Sequence, residues 1–257
     1  MAISKAIILS AGKGSRLLPL TADRPKCLID LSGKSLLEWQ LDALQGAGIE
    51  DIVVVTGFRD DLVDAVAATR TGVRTLFNPF YHVADNLGSV WMVRGELNGD
   101  TLLLNGDTLI SPRLLGRVLD VEAGAIAVTV DEKESYDADD MKVLRDGDRL
   151  LRIGKALEPG EYNSESIGLL AFRGDGARRF ADQVDLMMRW PDGTRRWYLR
   201  AIDELARAGT EIGTVSIRGE EWQEVDYPAD VEKAEALTAR WAMRSEASQS
   251  ALRSVRR

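Results

Sequence analysis

"KAIILSAGKGSRLLPLTADRPKCLI", residues 5–29, joins an unbroken apolar run to a loop with two glycines, Gly12 and Gly14, and four cations, Lys13, Arg16, Arg24 and Lys26. Residues 5–10 read as a strand that is apolar on both faces and so covered on both. The glycines behind it let the chain turn and aim its N–H groups at one point. Arg16 adds a planar fork of donors suited to phosphate oxygens, and Lys26 follows a proline that stiffens its loop. Together they predict an anion cradle, large enough for a triphosphate, at the carboxyl end of the first strand. The GxxxxGK[ST] loop is absent, and a dinucleotide fingerprint would need a third glycine where Leu17 stands. The stretch therefore indicates phosphate without indicating a reaction.

Outward from it, apolar strands alternate with helices. Strands are expected at 51–56, 74–77, 101–105 and 125–131, and helices at 35–47, 60–68, 87–97 and 111–121, the last with Pro112 in its first turn. This pattern predicts a Rossmann-like, doubly wound, mostly parallel α/β sheet, with ligands bound at the carboxyl ends of the strands. The second half differs. A hairpin over 141–153 turns at Asp146–Gly147–Asp148, a strand covers 166–172, helices cover 176–188 and 196–208, a strand covers 214–217, and a last helix runs over 228–244. Residues 1–243 are expected to form one domain, in which 132–243 completes the sheet of 1–131 and supplies a small inserted lid region. Residues 244–257 are polar and expected to fray.

The 257-residue chain is 45% hydrophobic and carries a net charge of −8, which argues against a nucleic-acid footprint. No apolar run suits a membrane span, and the N-terminal residues lack a signal-peptide layout. One cysteine, Cys27, excludes an internal disulfide and suits a reducing cytoplasm; it is expected to pack beneath the loop. With His82 the lone histidine, His/Cys zinc sites and most His-assisted nucleophiles are excluded. Asp107, in Asn105–Gly106–Asp107, and Asp226, in Glu224–Val225–Asp226–Tyr227–Pro228, each stand at a strand end before a helix. Either could be a ligand group or a plain turn or capping aspartate.

The pattern Leu-x-Ala-Gly-x-Gly-x-Arg-Leu followed by x-Pro-Lys-x-Leu resembles the signature of the nucleotidyltransferases that make sugar nucleotides and CDP-alcohols. The likeness continues through "LNGDTLI" (104–110) and "EWQEVDYPADVEKAEAL" (221–237), so it covers nearly the whole chain. The segment "NPFYHVADNLGSVWMV" (78–93) is most similar to bacterial CTP:phosphocholine cytidylyltransferases. The resemblance implies the nucleotide-diphospho-sugar transferase fold, with a nucleotide-binding first half and an acceptor-binding second half. It also implies Mg²⁺ held by Asp107 and Asp226, which suits an ion that prefers one or two carboxylates plus phosphate oxygens.

On that reading Arg16 and Lys13 hold the β and γ phosphates and Lys26 bridges the α-phosphate and the incoming phosphate. No protein nucleophile is needed, because an acceptor phosphate can displace pyrophosphate directly. The base is expected against Leu9, Ser10 and Ala11, with Gly12, Gly14 and Ser15 supplying backbone below it. Asn86 and Ser89 would hydrogen-bond a pyrimidine, or would merely cap the following helix. A quaternary ammonium acceptor would want aromatic faces and a carboxylate. Tyr136, Trp197, Tyr198, Trp222 and Tyr227 are candidates, with acids at Asp137, Asp139 and Asp140; Lys142 and Lys155 would meet the acceptor phosphate, or would be exposed hairpin lysines. Trp39, Trp91 and Trp241 fall in helical patterns and are expected in the core. The expected partners are CTP, or another NTP, and a small phosphate, foremost phosphocholine. A sugar 1-phosphate, another small phosphate or phosphonate, or a nucleotide-binding module without catalysis are the alternatives.

Overall fold

The computed structural model describes residues 3–255. β1 (Lys5–Leu9) leads through the glycine-rich loop to a small hairpin, β2 (Asp30–Leu31) and β3 (Lys34–Ser35). There follow α1 (Leu36–Gly46), β4 (Asp51–Thr56), α2 (Asp60–Ala67), β5 (Val73–Phe77), α3 (Asn86–Val93), β6 (Thr101–Asn105), β7 (Thr108–Ile110), α4 (Pro112–Asp120) and β8 (Ile126–Asp131). The second half contributes β9 (Lys142–Asp146), β10 (Arg149–Ile153), β11 (Ser164–Phe172), α5 (Gly176–Met188), α6 (Leu199–Arg207), β12 (Gly213–Ser216), β13 (Trp222–Glu224) and α7 (Pro228–Val255).

The main sheet runs β5-β4-β1-β6-β11-β8-β12-β10-β9. β5, β4, β1 and β6 pair in parallel, as do β8 and β12. β11 runs against both β6 and β8, and β10 runs against β12 and β9. Only β11 and β10 thus oppose the common direction in this sheet, which is the mostly parallel mixed sheet expected. β9 also pairs with the start of β11, so the β9–β10 hairpin is built into the sheet.

The strands are apolar on both faces because both are covered. In β1, Ile7 faces a layer formed by α3, α5 and α6, with Leu87, Phe180 and Ile202. Ala6 and Ile8 face the opposite layer, formed by α1, α2 and α4, with Leu41, Val63 and Leu115. Leu103 and its neighbours Leu102 and Leu104 divide in the same way on β6. Truncating such a fully buried leucine to alanine costs about 2–5 kcal/mol. A third cluster fastens α7 over the glycine-rich loop through Leu17, Leu36, Val225 and Trp241, with Trp39 and Trp241 meeting edge to face at 6.0 Å.

Local chemistry sets the helix ends. Ser35 and Glu38 form a reciprocal capping box on α1, and Ser111 caps α4 with Pro112 next to it. Three boundaries differ from expectation. α3 stops at Val93 and passes into a 3₁₀ turn that contains Gly95. α6 starts at Leu199 because 193–195 form their own 3₁₀ turn. α7 runs on to Val255, through the segment expected to fray from 244, because nothing after Pro228 in that stretch is a proline or glycine. The expectation for 256 and 257 lies outside the described residues.

Candidate active site

At the carboxyl end of β1 the loop 10–16 turns through Gly14, whose φ of 74° favours glycine. A Cβ there would meet the Cβ of Lys26 at 2.7 Å, so the same glycine makes room for the lysine. Thr21 holds the turn by donating its hydroxyl to the Gly14 carbonyl at 2.7 Å. Leu9 and Ala11 lie beneath, and the Phe58 amide donates to the Ala11 carbonyl at 3.1 Å. Gly12, Lys13, Ser15 and Arg16 are exposed above the strand end, with the Lys13 ammonium 5.0 Å from the centroid of the Phe58 ring.

Asp107 arrives from the neighbouring strand, β6. Gly106 lies so close to β1 that a Cβ would meet the Leu9 carbonyl oxygen at 2.4 Å. The buried Gln40 of α1 clamps this turn by donating to the carbonyls of Asn105 and Thr108, both at 2.8 Å. β13 pairs antiparallel with β7, and the Val225 amide donates to the Asp107 carbonyl at 3.0 Å. That pairing delivers Glu224 and Asp226 beside Asp107. Asp230, in the first turn of α7, accepts from the Asp226 and Tyr227 amides and fixes the approach to the helix.

The result is a cluster in which ligand oxygens of Asp107, Glu224 and Asp226 all lie within 4.8 Å of one another. Lys26 is inserted among them, donating to Asp107 at 2.8 Å and also to Asp226. Burial works to lower the Lys26 pKa, but Asp107 and Asp226 outweigh it and hold the ammonium above its ordinary value. Glu224 keeps one side open to solvent, yet loss of hydration, then the charges of Asp107 and Asp226, push its carboxyl up to about 8. One lysine does not neutralise three carboxylates, and Asp107 Oδ1 is buried without a hydrogen-bond partner. An excess of carboxylate with an orphaned oxygen fits a divalent cation. From the sequence alone, Glu224 has no assigned role in the site. Its signal was the spacing: in an extended segment, 224 and 226 project to the same side.

Arg16 joins this cluster to a second space. It donates to Asp226 at 3.3 Å and approaches Asp139 at 3.8 Å. Beyond it opens a cleft of about 520 Å³, whose walls include Asp139, Lys155, Arg196, Trp197 and Arg200. The amides of Asp85 and Leu87 donate to the carbonyls of Thr194 and Arg196, which ties this wall to the start of α3.

Other sequence candidates lie elsewhere. Tyr198 is 0% exposed: its hydroxyl donates to Asn105 Oδ1 at 2.9 Å, and burial raises its pKa. It packs in the core and supports the Asp107 turn rather than lining the cleft. Ser89 is also buried, accepting from Asn78 at 3.1 Å, and Asn86 accepts the Tyr198 amide at 2.9 Å. Both fasten α3 to its surroundings. Asp85 precedes the helix without a side-chain capping bond. Trp222 donates to Asp131 at 2.7 Å and packs on the sheet, because β13 turns that ring toward the core. Lys142 is almost wholly buried and donates to the carbonyls of Asp137 and Lys155, a structural clasp that leaves Lys155 alone of the two lysines in the cleft wall. Asp140 and Glu165 share Lys133, and the Tyr136 hydroxyl accepts the Lys133 amide. Cys27 is buried, and burial above all pushes its thiol up to about 12, as suits a packing role.

The comparisons agree with this architecture. The inositol-1-phosphate CTP transferase of T. maritima superposes with a TM-score of 0.76 at 22% identity, over 92% of this chain and 96% of that one, which shows the fold. CMP-5'-(3-aminopropyl)phosphonate synthase of Streptomyces rubellomurinus is 29% identical over 90% of this chain, an alignment spanning only 38% of that longer protein. Choline-phosphate cytidylyltransferase of Streptococcus pneumoniae is 40% identical over 36% of this chain and 40% of its own. The model of the MobA-like NTP transferase domain matches residues 6–239, and the chain belongs to that family of nucleotidyltransferases.

Proposed function

We propose that the protein is a Mg²⁺-dependent cytidylyltransferase that couples CTP to a small phosphate or phosphonate. The observation that carries the reading is the contiguity of three features: the glycine-rich loop with Lys13 and Arg16, the Lys26–Asp107–Glu224–Asp226 cluster, and the cleft that shares Arg16. In the reaction an acceptor phosphate oxygen forms a bond to the α-phosphorus, the bridge to the β-phosphate breaks, and pyrophosphate leaves with the electron pair.

The chain's own residues align two anions that repel each other. Exposed N–H groups of the loop, with Lys13 and Arg16, bind the β and γ phosphates. Lys26, held charged by its carboxylates, faces both the α-phosphate and the incoming oxygen. Asp107 and Asp226, with Glu224 beside them, would hold Mg²⁺, which supplies charge neutralisation at the α-phosphate. Phosphocholine was the acceptor expected from the sequence, and the partial alignment with the pneumococcal enzyme supports it. The wider reading needs only a compact acceptor that fits the cleft.

The test is pyrophosphate release with Mg²⁺ across CTP, UTP, dTTP, ATP and GTP, each against phosphocholine, phosphoethanolamine, aminoethylphosphonate and sugar 1-phosphates. Turnover that requires CTP supports the reading. Turnover with UTP or dTTP and a sugar 1-phosphate replaces it with a sugar nucleotidyltransferase on the same catalytic core.

A further inference from the structure

Recognition of a quaternary ammonium needs a bare aromatic face or a free carboxylate, and the described residues of the cleft wall offer neither. The Lys155 ammonium lies 4.5 Å from the centroid of Trp197, the one aromatic ring in the cleft wall. The nearby Tyr227 ring carries the Arg16 guanidinium at 5.4 Å, and Tyr136 carries Lys133 at 5.6 Å. Tyr162 carries Lys142 at 5.7 Å, and Tyr198 and Trp222 are turned into the protein. Trp197, Tyr227, Tyr136 and Tyr162 thus each already have a cation from the protein itself. The single acid of the wall, Asp139, accepts from the Tyr227 hydroxyl at 2.8 Å and faces Arg16 at 3.8 Å and Lys155 at 3.7 Å.

What the cleft does offer is positive charge. Arg16, Lys155, Arg196 and Arg200 stand against Asp139. Arg196 is paired outside the cleft with Asp192, and Arg200 with Glu204 and Asp203. Asp203, however, is also shared by Arg152 at 3.1 Å and Arg207 at 2.8 Å, so three arginines meet two acids there. The Nε groups of Arg196 and Arg200 are buried without a hydrogen-bond partner, so neither guanidinium is fully satisfied by its acids. Arg16, at the mouth beside Asp226, belongs with the β and γ phosphates of the nucleotide, which leaves Lys155, Arg196 and Arg200 for the far end of the acceptor.

We infer that the acceptor carries a second anionic group, a carboxylate, opposite its phosphate or phosphonate, and that Lys155, Arg196 and Arg200 select for it. The acceptor class is a phosphorylated or phosphonylated carboxylic acid, with or without an amino group beside Asp139. The inference rests on the nucleotidyl-transfer reading and narrows its substrate. A guanidinium meets a carboxylate with two parallel donors, which an alcohol or a quaternary ammonium cannot use.

The experiment is pyrophosphate release with CTP and Mg²⁺ on acceptors matched in size: phosphoglycolate, 3-phosphoglycerate, phosphoserine and 3-phosphonopropionate, against ethyl phosphate, phosphoethanolamine, phosphocholine and aminoethylphosphonate. The expected result is a kcat/KM at least tenfold higher for a carboxylated acceptor than for ethyl phosphate. Arg196→Gln should cut that advantage tenfold or more through KM, with the KM for CTP unchanged and turnover of ethyl phosphate altered less than threefold. If Arg196→Gln melts early, Lys155→Gln makes the same test from the opposite wall. Phosphocholine or ethyl phosphate as the best substrate, with CTP required, overturns the inference and leaves the cytidylyltransferase reading standing. No turnover with any acceptor overturns the inference, and no binding of CTP by calorimetry would remove the wider reading as well.

Discussion

Lys133 and Lys26 are each shared by two carboxylates, and the two clusters are built to different ends. Lys133 bridges Asp140 and Glu165, both at 2.8 Å, and the Tyr136 ring covers it. Lys26 bridges Asp107 and Asp226, but a third carboxylate, Glu224, crowds the same space, and one oxygen of Asp107 has no partner. The first cluster leaves one unit of negative charge and fastens the loop after β8 to β11. The second, at the carboxyl ends of the strands, sets three carboxylates against Lys26 and Arg16 and leaves an Asp107 oxygen buried and unpaired. A cluster completed by its own residues is structural, whereas one with an orphaned carboxylate oxygen awaits a ligand.

The largest effect that can break this contrast is on turnover. Lys26→Ala should lower kcat by about 10³-fold or more, because it removes the donor that faces both reacting phosphates. It should also lower the melting temperature in the absence of divalent cation, since three carboxylates within 4.8 Å then keep only Arg16 against them. Activity within tenfold of the unchanged protein would remove Lys26 from the mechanism.

Metal addition gives the next effect. Mg²⁺ at 100 times its Kd should stabilise the protein by about 2.7 kcal/mol, read as a rise of several degrees in melting temperature. Asp107→Asn should abolish most of that rise, because it neutralises the carboxylate with the orphaned oxygen. An equal rise in the variant would mean that the cation binds elsewhere.

The contrast also separates what the sequence disclosed from what it concealed. The parallel half of the sheet was legible because β1, β4 and β6 are apolar on both faces and α1 and α4 carry periodic leucines and a local cap. Gly14, Asp107 and Asp226 were legible because each lies within a few residues of a strand's end, and Lys26 because a stiffening Pro25 precedes it. Glu224 was not, because its effect depends on β13 pairing with β7 across more than a hundred residues. The aromatics misled for a related reason. Composition reveals that Trp197, Tyr198 and Trp222 exist, but only packing shows that Tyr198 and Trp222 face inward and that Lys155 covers Trp197. Gln40 gave no signal beyond helical spacing, although it clamps the turn that bears Asp107. Gln40→Leu should therefore lower kcat more than it raises the KM for CTP, and a pure KM effect would argue against positioning of Asp107.

The smallest effects test the Lys133 cluster. Burial, opposed by Lys133 and aided by Asp140, raises the Glu165 carboxyl from 4.5 to about 7. The folded chain therefore binds a proton that the unfolded chain has released across that window. This group's contribution to stability must fall as pH rises from about 4.5 to about 7, by up to ~1.4 kcal/mol per unit, and level off above it. Glu165→Gln should flatten that part of the urea-midpoint profile against pH. Lys133→Met should steepen it, because the buried carboxylate then loses the cation that holds its pKa down. Neither variant should change kcat by more than about threefold at a pH where both are folded, since Lys133 meets no group of the Asp107–Glu224–Asp226 cluster. A larger drop in kcat for Lys133→Met would make the Lys133 cluster part of the site after all, acting through the loop after β8 that carries Asp139 to the cleft wall.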